Sequence, residues 1–289
     1  MDGTDHSGGW AGTAYFSGDR WHILSWENGT VTDYGPVAPT TTAFVRVVDE
    51  NRAGTIIGNT TDGQWGQIKT AFRIRAGVLE QLAVLPGGSQ AIAAAINDTG
   101  DIVGTNLVQR NGSWGTVVVR WPANQTAPVE VLGLPLHSTA IDIDTDGTLL
   151  VGLRNPETQG QIPHILRGGV LSVLPPLARN QTLYAKAISN GRVTGSVLPK
   201  GGQYTGAVWE RDLTPHSLPN ASEGHLINRD ALVVASHSNP NVTSHGVWRN
   251  GILEYAFGTF DDHVYTGAIS DDGTFAGDLR GVPTVWRCA

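Results

Sequence analysis

Arg46, Lys186 and His225 occupy one position in three copies of a segment that recurs along the chain. A guanidinium, an ammonium and an imidazole at one mouth would hold a carboxylate, a phosphate or a developing oxyanion. His137, His225, His263 and Glu223 add groups able to move protons near neutrality. Phe44, Tyr184 and Tyr265 stand two places before Arg46, Lys186 and Gly267 and would wall such a pocket. Trp65 and Trp114 lie in longer loops, where an indole can stack on a sugar ring or another flat ligand.

The elements that must position these groups follow from the repeat. Its clearest copy runs from Ala93 through Asn97-Asp98-Thr99-Gly100 to Gly104: small and apolar residues, an Asn, a turn, a β-rich run and a glycine. Other copies cover 45–58, 140–152, 185–195, 224–235 and 266–277, with final residues spaced 46, 48, 43, 40 and 42 apart. Periods in the forties belong to propeller blades. Each unit also carries a later aliphatic strand, often ending in Trp, with copies at 22–26, 70–74, 117–121, 164–167, 206–209, 245–248 and 283–286. Asn28-Gly29 and Asn250-Gly251 follow such strands as hairpin turns. One unit therefore reads as four antiparallel strands. The expected fold is all-β, a single β-propeller domain over 1–289 with seven blades, six being the alternative, its ring closed by an N-terminal strand supplied before Gly12.

Aligned on the Asn/Asp/Ser that opens each turn, with Asp49 as the anchor of the 45–58 copy, the column three places earlier reads Arg46, Ala94, Ile141, Lys186, His225 and Gly267. Five places earlier stand Phe44, Ile92, Thr139, Tyr184, Glu223 and Tyr265, and seven places earlier Thr42, Gln90, His137, Thr182, Ala221 and His263. The column just before the anchor is aliphatic throughout, from Val48 to Ile269. Strand alternation places the odd columns on one face. A framework column should be monotonous, and these three are not.

Plainer roles compete with the chemical ones. Arg46 can pair with Asp49 or Asp142, and Lys186 can reach solvent. Trp65 and Trp114 can fold back as lids. Trp26, Trp121, Trp209, Trp248 and Trp286 recur with the repeat and read as core between blades. His22, His164 and His245 likewise read as framework. Asp261-Asp262-His263 resembles a metal cluster, but three adjacent residues cannot all face one ion, and Asp144-Thr145-Asp146-Gly147 and Asp271-Asp272-Gly273 read as Asx turns. No metal or organic cofactor is expected.

Composition narrows the partners. The 289 residues include 16% charged residues, 37 glycines, nine tryptophans, one methionine and one cysteine, Cys288. That mix is foreign to coiled coils, helical bundles and disordered chains. The formal charge of −7 argues against a duplex nucleic acid, no apolar run is long enough to span a bilayer as a helix, and one cysteine forms no internal disulfide. A monomer acting on a small molecule is the expected state. The polar N-terminus lacks the features of a signal peptide, which fits a cytosolic protein or one whose leader has been removed. Eight N-x-S/T sequons, at Asn28, Asn59, Asn97, Asn111, Asn124, Asn180, Asn220 and Asn241, matter in a secreting host or else reflect the turn preferences of Asn and Thr.

The alternation of Ala93 to Gly104, His22 to Trp26 and Leu85-Pro86-Gly87-Gly88 resembles the HAF-repeat proteins over nearly the whole chain. The resemblance implies a β-propeller and, in many members, an extracellular setting, but no activity. Ala235 in place of glycine and Arg167 in place of an aromatic are departures from the repeat. No GxSxG elbow, phosphate loop or HExxH motif is present. Two functions remain. One is a lyase, cyclase or isomerase acting on a small anionic or aromatic organic metabolite by His/Glu acid–base catalysis. The other is a carbohydrate- or protein-binding propeller without catalysis. Columns that differ from blade to blade favour a single asymmetric site, and hence the enzyme.

Overall fold

Hairpin chemistry sets the local structure. Asn28-Gly29, Asn111-Gly112 and Asn250-Gly251 each place two residues at positive φ, which matches the twist of a two-residue hairpin. A computed structural model describes residues 1–16, 20–37, 44–61, 68–239 and 244–287, with backbone alone for Ile68, Lys69 and Phe260.

Seven antiparallel sheets result. The first holds β1 (Gly3–Thr4), β2 (Trp10–Tyr15), β3 (Trp21–Glu27) and β4 (Thr30–Pro36). The second holds β5 (Val45–Glu50), β6 (Ile56–Thr61), β7 (Ile68–Arg75) and β8 (Val78–Leu82). The third holds β9 (Gly88–Ile96), β10 (Ile102–Arg110), β11 (Ser113–Trp121) and β12 (Val129–Glu130). The fourth holds β13 (Thr139–Ile143), β14 (Leu149–Arg154), β15 (Gln161–Arg167) and β16 (Val170–Val173). The fifth holds β17 (Gln181–Ser189), β18 (Arg192–Pro199), β19 (Thr205–Trp209) and β20 (Pro215–Ser217). The sixth holds β21 (Ala221–Ile227), β22 (Leu232–His237), β23 (His245–Arg249) and β24 (Ile252–Phe257), and the last β25 (Val264–Ile269), β26 (Thr274–Leu279) and β27 (Val282–Arg287). These sheets are the blades of a seven-bladed β-propeller. The only helix among the described residues is the 3₁₀ turn Phe260–Asp262. The chain divides into two compact units, Met1–Ala140 and Ile141–Ala289.

Among the described residues, the N-terminal strand belongs to the first sheet. β1 pairs with β2, with Gly3 opposite Ala11 and Thr4 opposite Trp10, and is the inner strand of the first blade. The reason is local. Asp5 opens a turn by accepting the Ser7 and Gly9 amides, both at 2.8 Å, and the turn folds the chain back on itself.

The same turn corrects the alignment of the second blade. Asn51 Oδ1 accepts the Ala53 and Thr55 amides at 3.1 and 3.0 Å, as Asn228 Oδ1 accepts those of Asp230 and Leu232. The anchor is therefore Asn51, two places beyond Asp49. Register agrees: Val47 faces Gly58 as Ala93 faces Gly104 and Ala185 faces Gly195. Val48 thus belongs with Lys186 and His225. Arg46 belongs with Tyr184, Glu223 and Tyr265, and Phe44 with His137 and His263. The aliphatic column is broken once, by Glu50.

Each of five inner strands carries a β-bulge at this point. Val48, Ala94, Lys186, His225 and Gly267 are the extra residues, each between two paired neighbours. A bulge re-aims its side chain, so simple alternation does not hold through it. The facing glycine is a consequence. A Cβ on Gly104 would sit 2.1 Å from the Ile92 carbonyl oxygen, and one on Gly277 1.8 Å from that of Tyr265. Ala235 is tolerated because its partner is Gly224.

Blade contacts are apolar with a polar tether. Trp121, Trp209 and Trp248 are fully buried, and their indoles donate to the Ala83, Pro175 and Pro219 carbonyls at 2.9, 2.7 and 2.9 Å, each just beyond the preceding blade's outer strand. Trp121 joins Ile57, Leu82, Ala93 and Val119 in one core, and Trp209 joins Leu150, Ile165 and Val193 in another. Trp26 and Trp286 are only half-buried; Trp286 stacks on Phe275 with centroids 5.4 Å apart.

Candidate functional site

In the second unit, the bulges of β17 and β21 bring Lys186 and His225 to neighbouring inner strands. Lys186 Nζ lies 3.0 Å from Glu223 Oε1, with both side chains partly open to solvent. His225 Nε2 meets Ser236 Oγ at 2.6 Å, and Ser236 is paired across the sheet with Glu223. His245 stands behind, its ring centroid 6.1 Å from that of His225 and its Nδ1 3.0 Å from Ser244 Oγ. Phe257 closes the apolar side, 5.7 Å from the His245 ring.

Electrostatics separate the two imidazoles from ordinary histidines. Burial lowers the His225 pKa; the Glu223 carboxylate opposes this, and the Lys186 ammonium adds to it. His245 falls to about 4, through burial and then the neighbouring His225. Both rings are therefore neutral at pH 7, and neutral imidazole is a proton acceptor. Tyr184, two residues before Lys186, is half-exposed and packs against Tyr204 at 5.6 Å. The hydrogen bond between the two phenols raises the Tyr184 pKa, so it stays protonated.

Of the groups singled out by sequence, the structure gathers Lys186, Glu223 and His225, with Tyr184 on the Lys186 strand. Tyr265 is exposed on β25, and His263 is an exposed residue at φ 46° ending the 3₁₀ turn. Asp262 next to it is engaged by Arg280 at 2.6 Å and by the Thr259 amide at 2.8 Å. No group of three potential metal ligands occurs among the described residues. Asp144 and Asp272 are turn residues: Asp144 accepts the Asn190 and Gly191 amides, and Asp272 that of Thr274. Ser236 and His245 were missed. Ser236 lies on a second strand, outside the inner-strand columns, and His245 shares a position with His22 and His164, which do serve the framework: His22 Nδ1 bonds Asp33 Oδ2 at 2.9 Å and His164 Nδ1 meets the Ile162 carbonyl at 2.9 Å.

In the first unit, Arg46 is two-thirds exposed, 3.9 Å from the Asp2 carboxylate rather than paired with Asp49. Asp49 instead accepts the Ile96 amide of the next blade at 3.0 Å and that of Glu50 at 2.8 Å. Phe44 is exposed and packs tilted against Trp21 at 5.9 Å, and Tyr15 also meets Trp21, at 5.5 Å. His137 has a φ of 71° and is held by its amide to the Thr116 carbonyl at 2.8 Å. Trp114 is exposed near the tip of the β10–β11 hairpin and faces Gln109. Trp65, like Cys288, lies outside the described residues.

No protein-family model and no curated protein matches the sequence. Solved structures do. An oligogalacturonate lyase from Vibrio parahaemolyticus superposes with a TM-score of 0.61 at 13% identity, over 99% of this chain and 87% of that one. A TolB from Agrobacterium tumefaciens gives 0.53 at 10% identity, over 78% and 83%. Prolyl oligopeptidase B from Galerina marginata gives 0.58 at 8% identity, over 94% of this chain and 47% of that one. At these identities the likeness is one of fold. It makes the chain a β-propeller protein.

Proposed function

We propose that this chain is a HAF-repeat propeller with a catalytic site of its own, a lyase or isomerase that removes a proton next to the carboxylate of a small organic acid. The observation that supports it most is the Lys186–Glu223 pair beside a neutral, hydrogen-bonded His225, with Lys186 and His225 at the bulge position that holds Val48, Ala94 and Gly267 elsewhere. A substrate carboxylate displaces Glu223 from Lys186 and is held by the ammonium. The adjacent C–H bond breaks, its proton passes to His225, and its electron pair moves into the carboxylate facing Lys186. Loss of a β-substituent with its bonding pair completes an elimination; in an acid with a double bond next to the reacting carbon, return of the proton at the far end of that double bond, which shifts, completes an isomerisation. Tyr184 supplies a protonated phenol for a leaving oxygen.

The test is an untargeted mass-spectrometric comparison of host metabolites incubated with the wild type, with His225→Gln and with Lys186→Gln, each checked for folding by tryptophan fluorescence. A species converted by the wild type and spared by both variants is the expected result. Equal conversion by all three, or none, overturns the proposal. A second reading, carbohydrate recognition, rests on the exposed rings of Tyr15 and Phe44, both packed against Trp21 in the first unit. Glycan-array binding lost in Phe44→Ala and kept in His225→Gln would support that reading instead.

A further inference from the structure

Seven of the eight sequons lie among the described residues, where the fold treats them differently, and Asn241 lies outside them. The chain has fifteen asparagines, and Ser and Thr make up 43 of its 289 residues, so chance would give about two sequons where eight occur. Turn preference accounts for asparagine, and for a hydroxyl two places later only where the turn uses it. Two sequons are explained by the fold. Asn59 is buried, with Nδ2 donating to the Ala93 carbonyl and Oδ1 accepting the Ala93 amide, both at 2.9 Å. Asn97 is buried, and the Thr99 hydroxyl donates to its Oδ1 at 2.7 Å.

Three others have no such account. Asn28, Asn111 and Asn180 are exposed and at positive φ, Thr30, Ser113 and Thr182 two places on are exposed too, and none of these six side chains makes a hydrogen bond among the described residues. The molecule supplies its own controls. The hairpins at Ala76-Gly77, Gly168-Gly169, Asn250-Gly251 and Arg280-Gly281 are followed by Val78, Val170, Ile252 and Val282, so neither the Asn nor the hydroxyl is required by the turn. The position of Thr182 is held by Gln90 in the third blade. Asn124 and Asn220 are weaker cases, because Arg75 engages the Asn124 amide oxygen and the Ser222 hydroxyl reaches the Ser236 carbonyl.

We infer that Asn28, Asn111 and Asn180 are N-glycosylation sites, whereas Asn59 and Asn97 are not. The amide nitrogen attacks the anomeric carbon of an oligosaccharide carried on a lipid diphosphate, the lipid diphosphate leaves, and the amide nitrogen loses a proton. Only a side chain free on its outer side keeps the bulky product in the folded state.

The experiment is peptide mapping of the protein isolated from its natural host, with glycans released by an amidase in ¹⁸O-water so that each formerly occupied Asn is read as labelled Asp. Label at 28, 111 and 180, with 59 and 97 unlabelled, is expected. Thr30→Val, Ser113→Val and Thr182→Gln, made in the same host, should each remove one glycan and leave the melting temperature unchanged. An intact mass equal to the bare chain overturns the inference, as does label at Asn59 or Asn97 in soluble folded protein.

Discussion

Asn51 Nδ2 donates to the Asn97 carbonyl at 2.9 Å, joining the turn of one blade to the turn of the next, and Asn228 makes the same contact with the Ser270 carbonyl at 3.0 Å. The Asn51 side chain also takes two backbone amides of its own turn, one of them on buried Thr55. Asn51→Ala leaves those groups without partners inside the protein, at a cost of about 2–4 kcal/mol. Asn51→Asp keeps the acceptor and loses only the donor, as Asp5 does naturally at this position, and should cost clearly less. Urea unfolding midpoints measure both, and equal losses would contradict the separate roles of the two side-chain atoms.

The fold was legible because each blade repeats its own instructions. The Asn-Gly hairpins, the glycine opposite the bulge and the tryptophan tethered to the preceding blade all recur in the sequence. Site residues were legible only as departures from that repeat, and this works while the register is right. Asp49 and Asn51 both look like anchors, and choosing Asp49 moved Arg46 into the bulge column and hid Glu50 altogether. The residue that a bulge adds carries no type that marks it; the mark lies on the facing strand, as the glycine. Ser236 escaped for a different reason: its position follows from cross-strand pairing with Glu223, which no single strand reveals.

Glu50 stands where other blades carry Ile96, Ile143, Ile188, Ile227 and Ile269. It is 5% exposed, its Oε2 has no hydrogen-bond partner, and its pKa rises to about 8, through burial first and then the nearby Asp5, Asp49 and Glu27. A folded-state pKa above the unfolded value means that the native state binds the extra proton. Stability from this group is therefore full below the ordinary glutamate pKa, declines as pH rises, and is lost above about 8. Glu50→Gln should flatten the decline, gaining about 2–4 kcal/mol over the wild type at the alkaline end relative to the acid end. Parallel stability profiles for the two proteins between pH 5 and 9 would show that Glu50 does not control it.

Arg73 is a buried cation whose Nε and Nη1 are both engaged. Its Nε donates to Glu80 at 2.7 Å, and its Nη1 donates to the Ala123 and Gln125 carbonyls at 2.8 and 3.2 Å, tying the second blade to the third. In return, the guanidinium holds the Glu80 carboxyl below its usual range. Arg73→Met keeps most of the volume but removes the Nε partner of Glu80 and the donor to the Gln125 carbonyl, while Arg75 still reaches Glu80 at 3.7 Å and the Ala123 carbonyl at 3.0 Å, so the loss is about 1–3 kcal/mol. In the double variant Arg73→Met/Glu80→Met the carboxylate that has lost its closest cation is gone, so part of the loss should be recovered. Differential scanning calorimetry of the three proteins gives the comparison, and a double variant no more stable than the single one would locate the cost in the carbonyl contacts alone.

The charges around His225 act on it in opposite directions, and this can be measured without a substrate. Glu223 favours the imidazolium and Lys186 disfavours it, while burial keeps the net shift downward. Glu223→Gln should therefore lower the His225 pKa further, and Lys186→Gln should raise it towards the ordinary histidine value. Removing both should leave the ring still below that value, because burial remains. His245 is the internal control: burial and His225, rather than the ion pair, hold it near 4, so it should move little in either variant. Two-dimensional NMR of ring-labelled protein across the acid range follows both titrations. Shifts of the same sign in the two variants would mean that Lys186 and Glu223 do not flank His225 in solution, and the proposed proton acceptor would lose its electrostatic setting.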